Sequence, residues 1–301
     1  MNNLVILELP SNLGLKAPYP GKEPGVRALP DFLRKNNFHA LLNPAKTIRL
    51  EPPEYSMELD AESQIRNADK IAQYAEKQAK LLGSTIRNQE FPLVLGGDCS
   101  ILVGNALALK ETGKYALFFL DGHTDFMLPS MSQTHGAAGM DLALVAGYGP
   151  MKLTNIHNRK PYFEEGNIWC VGNRDYEDWY VELIRKSDIQ YIDLAELRQM
   201  GTDKCITGFL QMVQEKGLDG FWIHLDVDVL SDDIMPAVDS RQPDGLHYVE
   251  FNTLMKLLLS SSKAVGMEIT ILDPDLDPTT KYTKDFVVNF CSVFNSIRNQ
   301  I

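Results

Sequence analysis

Residues 91–100 read FPLVLGGDCS, an apolar run that ends at two glycines and is followed by Asp98 and Cys99. A continuous apolar run of this length, closed by a turn signal, is typical of a strand buried on both faces. Residues 101–112 then continue with a helical pattern. The stretch therefore predicts a strand, a tight turn and a helix, which is the repeating unit of a parallel sheet.

The same alternation runs along the whole chain. Short runs rich in apolar residues predict strands at residues 4–9, 38–42, 92–95, 115–120, 167–171, 189–192, 221–227 and 264–272. Helix-like stretches are predicted at 24–37, 61–88, 101–112, 140–147, 176–186, 202–215, 249–261 and 282–298. This pattern predicts an α/β fold of three layers, α/β/α, with a parallel sheet of about eight strands. Because no Gly/Ser-rich or Pro-rich linker interrupts the chain, we expect residues 1–301 to form a single domain.

Composition excludes several classes of partner. The chain has 301 residues and a formal net charge of -11, so neither nucleic acid nor an anionic membrane is expected to bind it. The four cysteines are widely spaced, which predicts reduced thiols in a cytoplasmic protein rather than a disulfide framework. The first ten residues resemble a strand rather than a signal peptide, and no segment is long enough to span a membrane.

Two motifs at predicted strand ends contain the candidate metal-binding residues. Asp121, His123 and Asp125 alternate after the strand at 115–120, so an extended chain would place them on one face. Asp226 and Asp228 alternate in the same way at the end of the strand at 221–227. Each motif alone could be a polar loop or a cap. Together they supply four carboxylates and a histidine, which suits a pair of divalent cations better than one tetrahedral zinc.

Cys99 follows a third predicted strand end. From the residues alone it could be a small buried side chain, a nucleophile or a metal ligand. If its strand neighbours the other two, its sulfur can reach the same cluster.

The motifs GGDCS, LDGHTDF, THGAAG and HLDVDVL resemble those of the arginase, agmatinase and formimidoylglutamase family, the ureohydrolases, and they occur in family order. The resemblance implies a dinuclear centre, with manganese as the expected metal, that hydrolyses a C–N bond of a small guanidino or other linear amidine substrate. It implies attack by a metal-bridging hydroxide and assembly into trimers or hexamers. The residues it assigns to the metals are Cys99, Asp121, His123, Asp125, Asp226 and Asp228. It makes Asp125 and His135 catalytic, Asp125 by orienting the hydroxide and His135 by shuttling protons.

The chain departs from the family pattern at two positions where a residue would contact a metal or the substrate, Cys99 and Ile271. Cys99 stands where the family has a histidine ligand, and a thiolate also admits zinc, cobalt, nickel or iron. Ile271 stands where the family usually has a glutamate that grips the guanidinium, and Glu268, three residues earlier, is an indirect substitute. Further candidate substrate contacts lie in loops, where solvated or helix-capping roles are equally open: Arg241, Asp175 and Glu177.

Two functions remain open from sequence. The first is a metal-dependent hydrolase whose substrate resembles arginine, agmatine, formimidoylglutamate or N-hydroxyarginine. The second is a non-catalytic homologue that binds metal or a ligand in a regulatory or structural role, to which the changes at Cys99 and Ile271 would be suited. The survival of the other ligand positions and of His135 favours catalysis.

Overall fold

A computed structural model describes residues 3–298 of the chain, and it confirms the predicted α/β fold. All eight strands of this part of the chain form one parallel sheet in the order β2-β1-β3-β8-β7-β4-β5-β6. The strands are β1 Leu4–Glu8, β2 Lys46–Arg49, β3 Phe91–Leu95, β4 Tyr115–Leu120, β5 Ile168–Val171, β6 Gln190–Ile192, β7 Gly220–Asp226 and β8 Ala264–Thr270. The inner strands are buried on both faces, as their continuous apolar runs require.

Helices cover both faces of the sheet. They are α1 Leu29–Lys35, α2 Phe38–Leu42, α3 Ala68–Arg87, α4 Leu102–Thr112, α5 Asp141–Val145, α6 Met151–Thr154, α7 Asp178–Arg185, α8 Leu194–Met200, α9 Thr202–Glu215, α10 Tyr248–Leu259 and α11 Lys281–Arg298. One apolar core lies between the sheet and α1, α2 and α8 to α11, and a second lies between the sheet and α3 to α7. Within residues 3–298, no helix is long and apolar enough to cross a membrane.

The prediction for the first edge of the sheet was wrong. Residues 38–42, predicted as a strand, form helix α2, in which Phe38 and Leu42 are buried one helical turn apart. The edge strand is β2, which lies between the elements predicted at 38–42 and 61–88. An edge strand that is largely exposed carries few apolar residues, so a search for apolar runs misses it.

The turn after β3 is held by close contact with the segment that follows β1. Asp98 accepts hydrogen bonds from the Ser11 hydroxyl at 2.9 Å and from the Ser100 amide at 2.9 Å. Gly97 lies so close to the Ser11 carbonyl that a Cβ atom on Gly97 would stand 1.6 Å from that oxygen. Glycine is therefore required here to bring the turn, and with it Cys99, to the edge of the sheet.

We expect Gly97→Ala to lower the free energy of unfolding by about 3 kcal/mol or more, because the clash is with backbone that cannot rotate away. Urea unfolding followed by circular dichroism measures this. The control is Gly83→Ala in α3, where the added methyl group meets only the Arg87 side chain. This variant should be neutral or more stable by up to about 1 kcal/mol. Equal effects of the two substitutions would contradict the steric argument.

Glu8, at the end of β1, is a buried carboxylate that the protein compensates with its own cations. Its oxygens lie 2.6 Å from Arg34, 2.9 Å from His39 and 3.4 Å from Arg49. Burial raises the pKa of Glu8, but the hydrogen bonds and charges of His39 and Arg34 outweigh it and lower the pKa from 4.5 to about 2.

We therefore expect Glu8→Gln to destabilise the protein by about 1–3 kcal/mol at neutral pH. Because the folded pKa lies below the unfolded value, this contribution is fully present above pH 4.5 and is lost as the pH falls toward 2. Urea titrations of both proteins at a series of pH values should show the difference shrinking through that window. A difference that stays constant down to the acid limit would exclude an ionised Glu8 as its source.

Candidate metal centre

The loop after β4 turns back on itself over the end of the strand. Asp121 Oδ1 accepts a hydrogen bond of 2.6 Å from the His123 amide, which folds the two residues together. The chain then adopts φ 43° at Asp125, a left-handed conformation. The alternation predicted for an extended chain therefore does not continue to Asp125, although this side chain still lines the same cavity.

The loop after β7 meets the β4 loop through direct contacts. Asp228 Oδ1 accepts from the Gly122 amide at 3.0 Å, and Asp228 Oδ2 lies 2.9 Å from His123 Nδ1. Asp226 Oδ1 accepts from the Asp228 amide at 2.8 Å, which leaves Asp226 Oδ2 directed at β3. The two motifs recognised in the sequence thus share one site.

Cys99 joins this site from β3. Its thiol donates to Asp226 Oδ2 at 2.9 Å and lies 3.1 Å from the Thr270 hydroxyl on β8. Burial, followed by the charge of Asp226, raises the pKa of the thiol well above its ordinary value. The three predicted strand ends therefore converge, because β3, β8, β7 and β4 are consecutive in the sheet.

Two groups of metal-binding atoms lie in this part of the molecule. Within residues 3–298, two groups of donor atoms lie within 4.8 Å of one another. The first group comes from Cys99, Asp121, His224 and Asp226, and the second from Asp121, His123 and Asp228. Asp121 belongs to both groups, with Oδ1 3.8 Å from His123 Nδ1 and Oδ2 3.7 Å from His224 Nε2. Asp125 belongs to neither group, so its assignment as a ligand stays a prediction.

His224 and Glu268 form the floor of the site. They are register partners on β7 and β8, so their side chains share one face of the sheet. His224 Nδ1 lies 2.8 Å from Glu268 Oε1, and Asn105 donates to Oε2 of the same carboxylate. Glu268 is fully buried and does not line the cavity, so we do not propose the substrate contact expected for it from sequence.

The site crowds carboxylates together without enough cations of its own. Six carboxyl groups are buried here: Asp121, Asp125, Asp141, Asp226, Asp228 and Glu268. Burial, followed by the charge of a neighbouring carboxylate, raises the pKa values of Asp121, Asp125 and Asp226. The pKa of Asp228 is lowered despite its burial, by the charges of His123 and Arg174.

Atoms that could bind a cation also lack hydrogen-bond partners. Asp121 Oδ2 and His224 Nε2, which both belong to the first group, are buried and unpartnered. Burial lowers the pKa of His123, but the charge and hydrogen bond of Asp228 outweigh it and raise the pKa to about 10. Buried carboxylates and imidazoles without partners are costly, and divalent cations would offset that cost. The residues present therefore fit a metal centre.

A cavity of about 320 Å³ opens onto this cluster. Ile271 lines it at φ 72°, a strained conformation for a β-branched residue, and its amide donates to the Gly97 carbonyl at 2.8 Å. Asp175 also lines the cavity, whereas Arg241 bonds to Asp232 at 3.0 Å in a separate groove.

Two further residues predicted from sequence lie near the rim. Glu177 is exposed and accepts a hydrogen bond from the Trp179 indole, whose ring lines the cavity. His135 is half-buried, with Nδ1 2.9 Å from the Gln64 carbonyl and φ 57°. Neither Glu177 nor His135 is among the lining residues, so their roles at the substrate stay predictions.

Sequence reasoning missed three residues that shape the site. Arg174 donates to the Asp228 carbonyl at 2.6 Å, Asp141 is fully buried, and Tyr180 lines the cavity. The Tyr180 oxygen accepts from the amides of Thr124 and Asp125, at 2.9 Å and 3.3 Å. The asparagine, arginine and aspartate at 173–175 directly after β5 were a usable signal for Arg174. No local pattern distinguishes Tyr180 from other apolar residues of α7.

The chain resembles known proteins in both sequence and fold. The model of the Arginase family matches residues 6–294. An arginase from Staphylococcus aureus (strain MRSA252) is 28% identical over 214 residues, which cover 71% of this chain and 70% of that protein. The solved arginase from Bacillus caldovelox has a TM-score of 0.86 at 24% identity, covering 98% of each chain. The agmatine ureohydrolase of Thermoplasma volcanium has a TM-score of 0.67 at 19% identity, covering 99% of this chain and 92% of its own.

We expect Tyr180→Phe to lower the free energy of unfolding by about 1–3 kcal/mol, because two buried amides lose their acceptor. It should also weaken metal binding by loosening the loop that carries His123 and Asp125. Thermal unfolding and calorimetric metal titration measure the two effects. Tyr176→Phe, at a half-exposed side chain just before α7, is the control and should change neither. A Tyr180→Phe protein with unchanged stability would show that water replaces the phenol oxygen.

Proposed function

Because the chain belongs to the arginase family, we propose that it cleaves a C–N bond of a guanidino or other linear amidine substrate at a centre of two divalent cations. The chain is a hydrolase of the ureohydrolase type, acting on C–N bonds. One sheet carries every strand between residues 4 and 270, which supports treating the whole chain as one catalytic domain. Manganese, a trimeric or hexameric assembly and a cytoplasmic location stay predictions of the resemblance and composition.

The observation that carries the proposal is the pair of overlapping donor groups at the base of the cavity. Asp121 directs one oxygen toward each group, which is the arrangement that lets one carboxylate bridge two cations. The cavity gives a small molecule access to both groups. A structural metal site would instead be closed to solvent on all sides.

The chain's own residues have distinct parts in the reaction. Bound cations would supply an activated water and Lewis-acid stabilisation of the developing charge. Asp125 lines the cavity beside both groups and can accept a proton from a nucleophilic water. His135 Nδ1 donates to the Gln64 carbonyl at 2.9 Å, so Nε2 is the nitrogen that can take up a proton and pass it to the leaving amine.

The outer part of the cavity favours a substrate whose far end is cationic or neutral. Lining carboxylates come from Asp125, Asp175, Asp226, Asp228 and Asp239, and the same lining, taken over the described residues, includes neither lysine nor arginine. A carboxylate at the far end of the substrate would be desolvated among like charges. Ile271 and Met127 add apolar surface that suits an aliphatic chain.

The non-catalytic alternative rests on Ile271, which cannot pair with an amidinium cation. It predicts metal binding without turnover. Hydrolysis of any amidine by a metal-loaded protein, lost when Asp125 is changed to asparagine, would exclude this alternative.

We expect the purified protein to bind two equivalents of divalent metal per chain. Removing them with a chelator should lower the free energy of unfolding by about 3 kcal/mol for each site, for a free metal concentration about 100 times the dissociation constant. Metal analysis and thermal unfolding before and after chelation measure this. A protein that takes up no metal after reconstitution with manganese, cobalt, nickel and zinc would overturn the proposal.

Among amidines, we expect agmatine to be hydrolysed with at least about tenfold higher kcat/KM than arginine, because its far end carries no carboxylate. N-hydroxyarginine and formimidoylglutamate complete the screen, with urea, hydroxyurea and formamide as the products assayed. Asp175→Asn should raise KM for agmatine more than it changes kcat. Preference for arginine, or for a substrate with two carboxylates, would contradict the charge argument while leaving amidine hydrolysis intact.

A further inference from the structure

We propose that His224 is a metal ligand, which makes one half of the centre a sulfur, nitrogen and oxygen site selective for a zinc-type cation over manganese. The inference rests on the proposed function only in that the cluster holds cations. Its donors are Cys99, Asp121, His224 and Asp226, all at most 2% exposed. His224 opens the HLDVDVL motif, two residues before the D-x-D pair, but the family resemblance assigns it no metal.

Two direct contacts fix the orientation of His224. Glu268 Oε1 lies 2.8 Å from Nδ1, and Asn105 holds the other oxygen of that carboxylate. The imidazole stacks on the Phe119 ring, with centroids 4.4 Å apart and planes at 5°. A carboxylate behind one ring nitrogen sets the tautomer and orientation of the other, as it does for metal-bound histidines in general.

The free nitrogen of His224 points into the cluster. Nε2 is fully buried and has no hydrogen-bond partner, and it lies 3.7 Å from Asp121 Oδ2. That separation is too long for a hydrogen bond. It matches the spacing of about 3.3–3.8 Å between two ligands of a tetrahedral ion with bonds of about 2.0–2.3 Å.

The Cys99 thiol supplies the fourth donor of this group. Cys99 Sγ donates to Asp226 Oδ2 at 2.9 Å, so a cation binds here only as the thiol proton leaves and this contact widens. One thiolate, one imidazole and two carboxylates form a four-donor set typical of zinc or cobalt. Manganese prefers oxygen-rich sets with more ligands.

The other donor group differs in chemistry. Asp121, His123 and Asp228 supply only nitrogen and oxygen. Both groups reach the cavity, this one through His123 and Asp228 and the sulfur group through Cys99 and Asp226. The nitrogen and oxygen group therefore accepts harder cations that keep water or substrate as further ligands. The structure points to a centre whose two halves select different metals, with the sulfur site at the base.

The experiment is cobalt titration of the chelated full-length protein, followed by absorption spectroscopy and calorimetry. The wild type should show a thiolate-to-cobalt charge-transfer band with one of its two equivalents. His224→Gln places a side-chain amide near the position of Nε2, so a polar group still faces Asp121 while the imidazole ligand is removed. We expect the equivalent that carries the charge-transfer band to bind more than about 100-fold more weakly, above the 10–100-fold typical of losing a residue that only orients a ligand.

Two companion variants separate ligation from folding. Glu268→Gln, at the positioning residue, should weaken the same equivalent by about 10–100-fold. His157→Gln, at an exposed histidine bonded to Glu111, should leave both equivalents unchanged. X-ray absorption of the zinc-loaded proteins gives a direct readout, in which His224→Gln loses one imidazole from the sulfur-containing shell while Cys99 is retained.

The outcomes distinguish this inference from the proposed function. If His224→Gln and Glu268→Gln both bind two equivalents with wild-type affinity, His224 is not a ligand, and amidine hydrolysis by that protein still supports the dinuclear hydrolase. If His224→Gln does not fold, an unchanged affinity in Glu268→Gln overturns the inference in the same way. If the wild type binds no metal, the inference and the proposed function fail together.

Discussion

Mutual repulsion among buried carboxylates governs the region around the end of β4 and β7. Glu8 shows how the same fold treats an acid it must keep without a metal: it surrounds the carboxylate with Arg34, His39 and Arg49, and the pKa falls to about 2. At the candidate metal centre the buried carboxylates have acidic rather than basic neighbours. Asp121 and Asp226 face other acids and their pKa values rise, whereas His123 and Arg174 lower the pKa of Asp228. Divalent cations relieve this repulsion more strongly than the histidines can, because each brings two positive charges.

The order of strands converts separate motifs into one site. Cys99 and Asp226 are 127 residues apart in sequence, yet their side chains are in hydrogen-bond contact. The contact depends on β3, β8, β7 and β4 being consecutive and parallel, so that their carboxyl ends meet at one edge. Gly97 allows the close approach at the turn after β3, because no side chain separates it from the Ser11 carbonyl.

The inner strands and the polar residues at their ends could be predicted from the sequence. Strands buried on both faces must be apolar throughout, so the inner strands and the polar residues at their ends were visible as local patterns. Strand β2 was not, because an exposed edge strand needs no apolar run. Asp125 left the predicted face because a left-handed residue breaks the alternation. The pairing of His224 with Glu268 depends on β7 lying beside β8 in a given register, which no local pattern contains.

The two departures from the family pattern are linked in space and in charge. Ile271 donates its amide to the Gly97 carbonyl, two residues from Cys99, and both side chains line the same cavity. A thiolate in place of a neutral imidazole adds one negative charge to the centre, and an isoleucine in place of a glutamate removes one. Relative to the family pattern, the two changes together keep the formal charge of the site but move one negative charge from the substrate-binding wall to the metals. Under the proposed function, this exchange favours cations that accept sulfur at one half of the centre and substrates that tolerate apolar contact at Ile271.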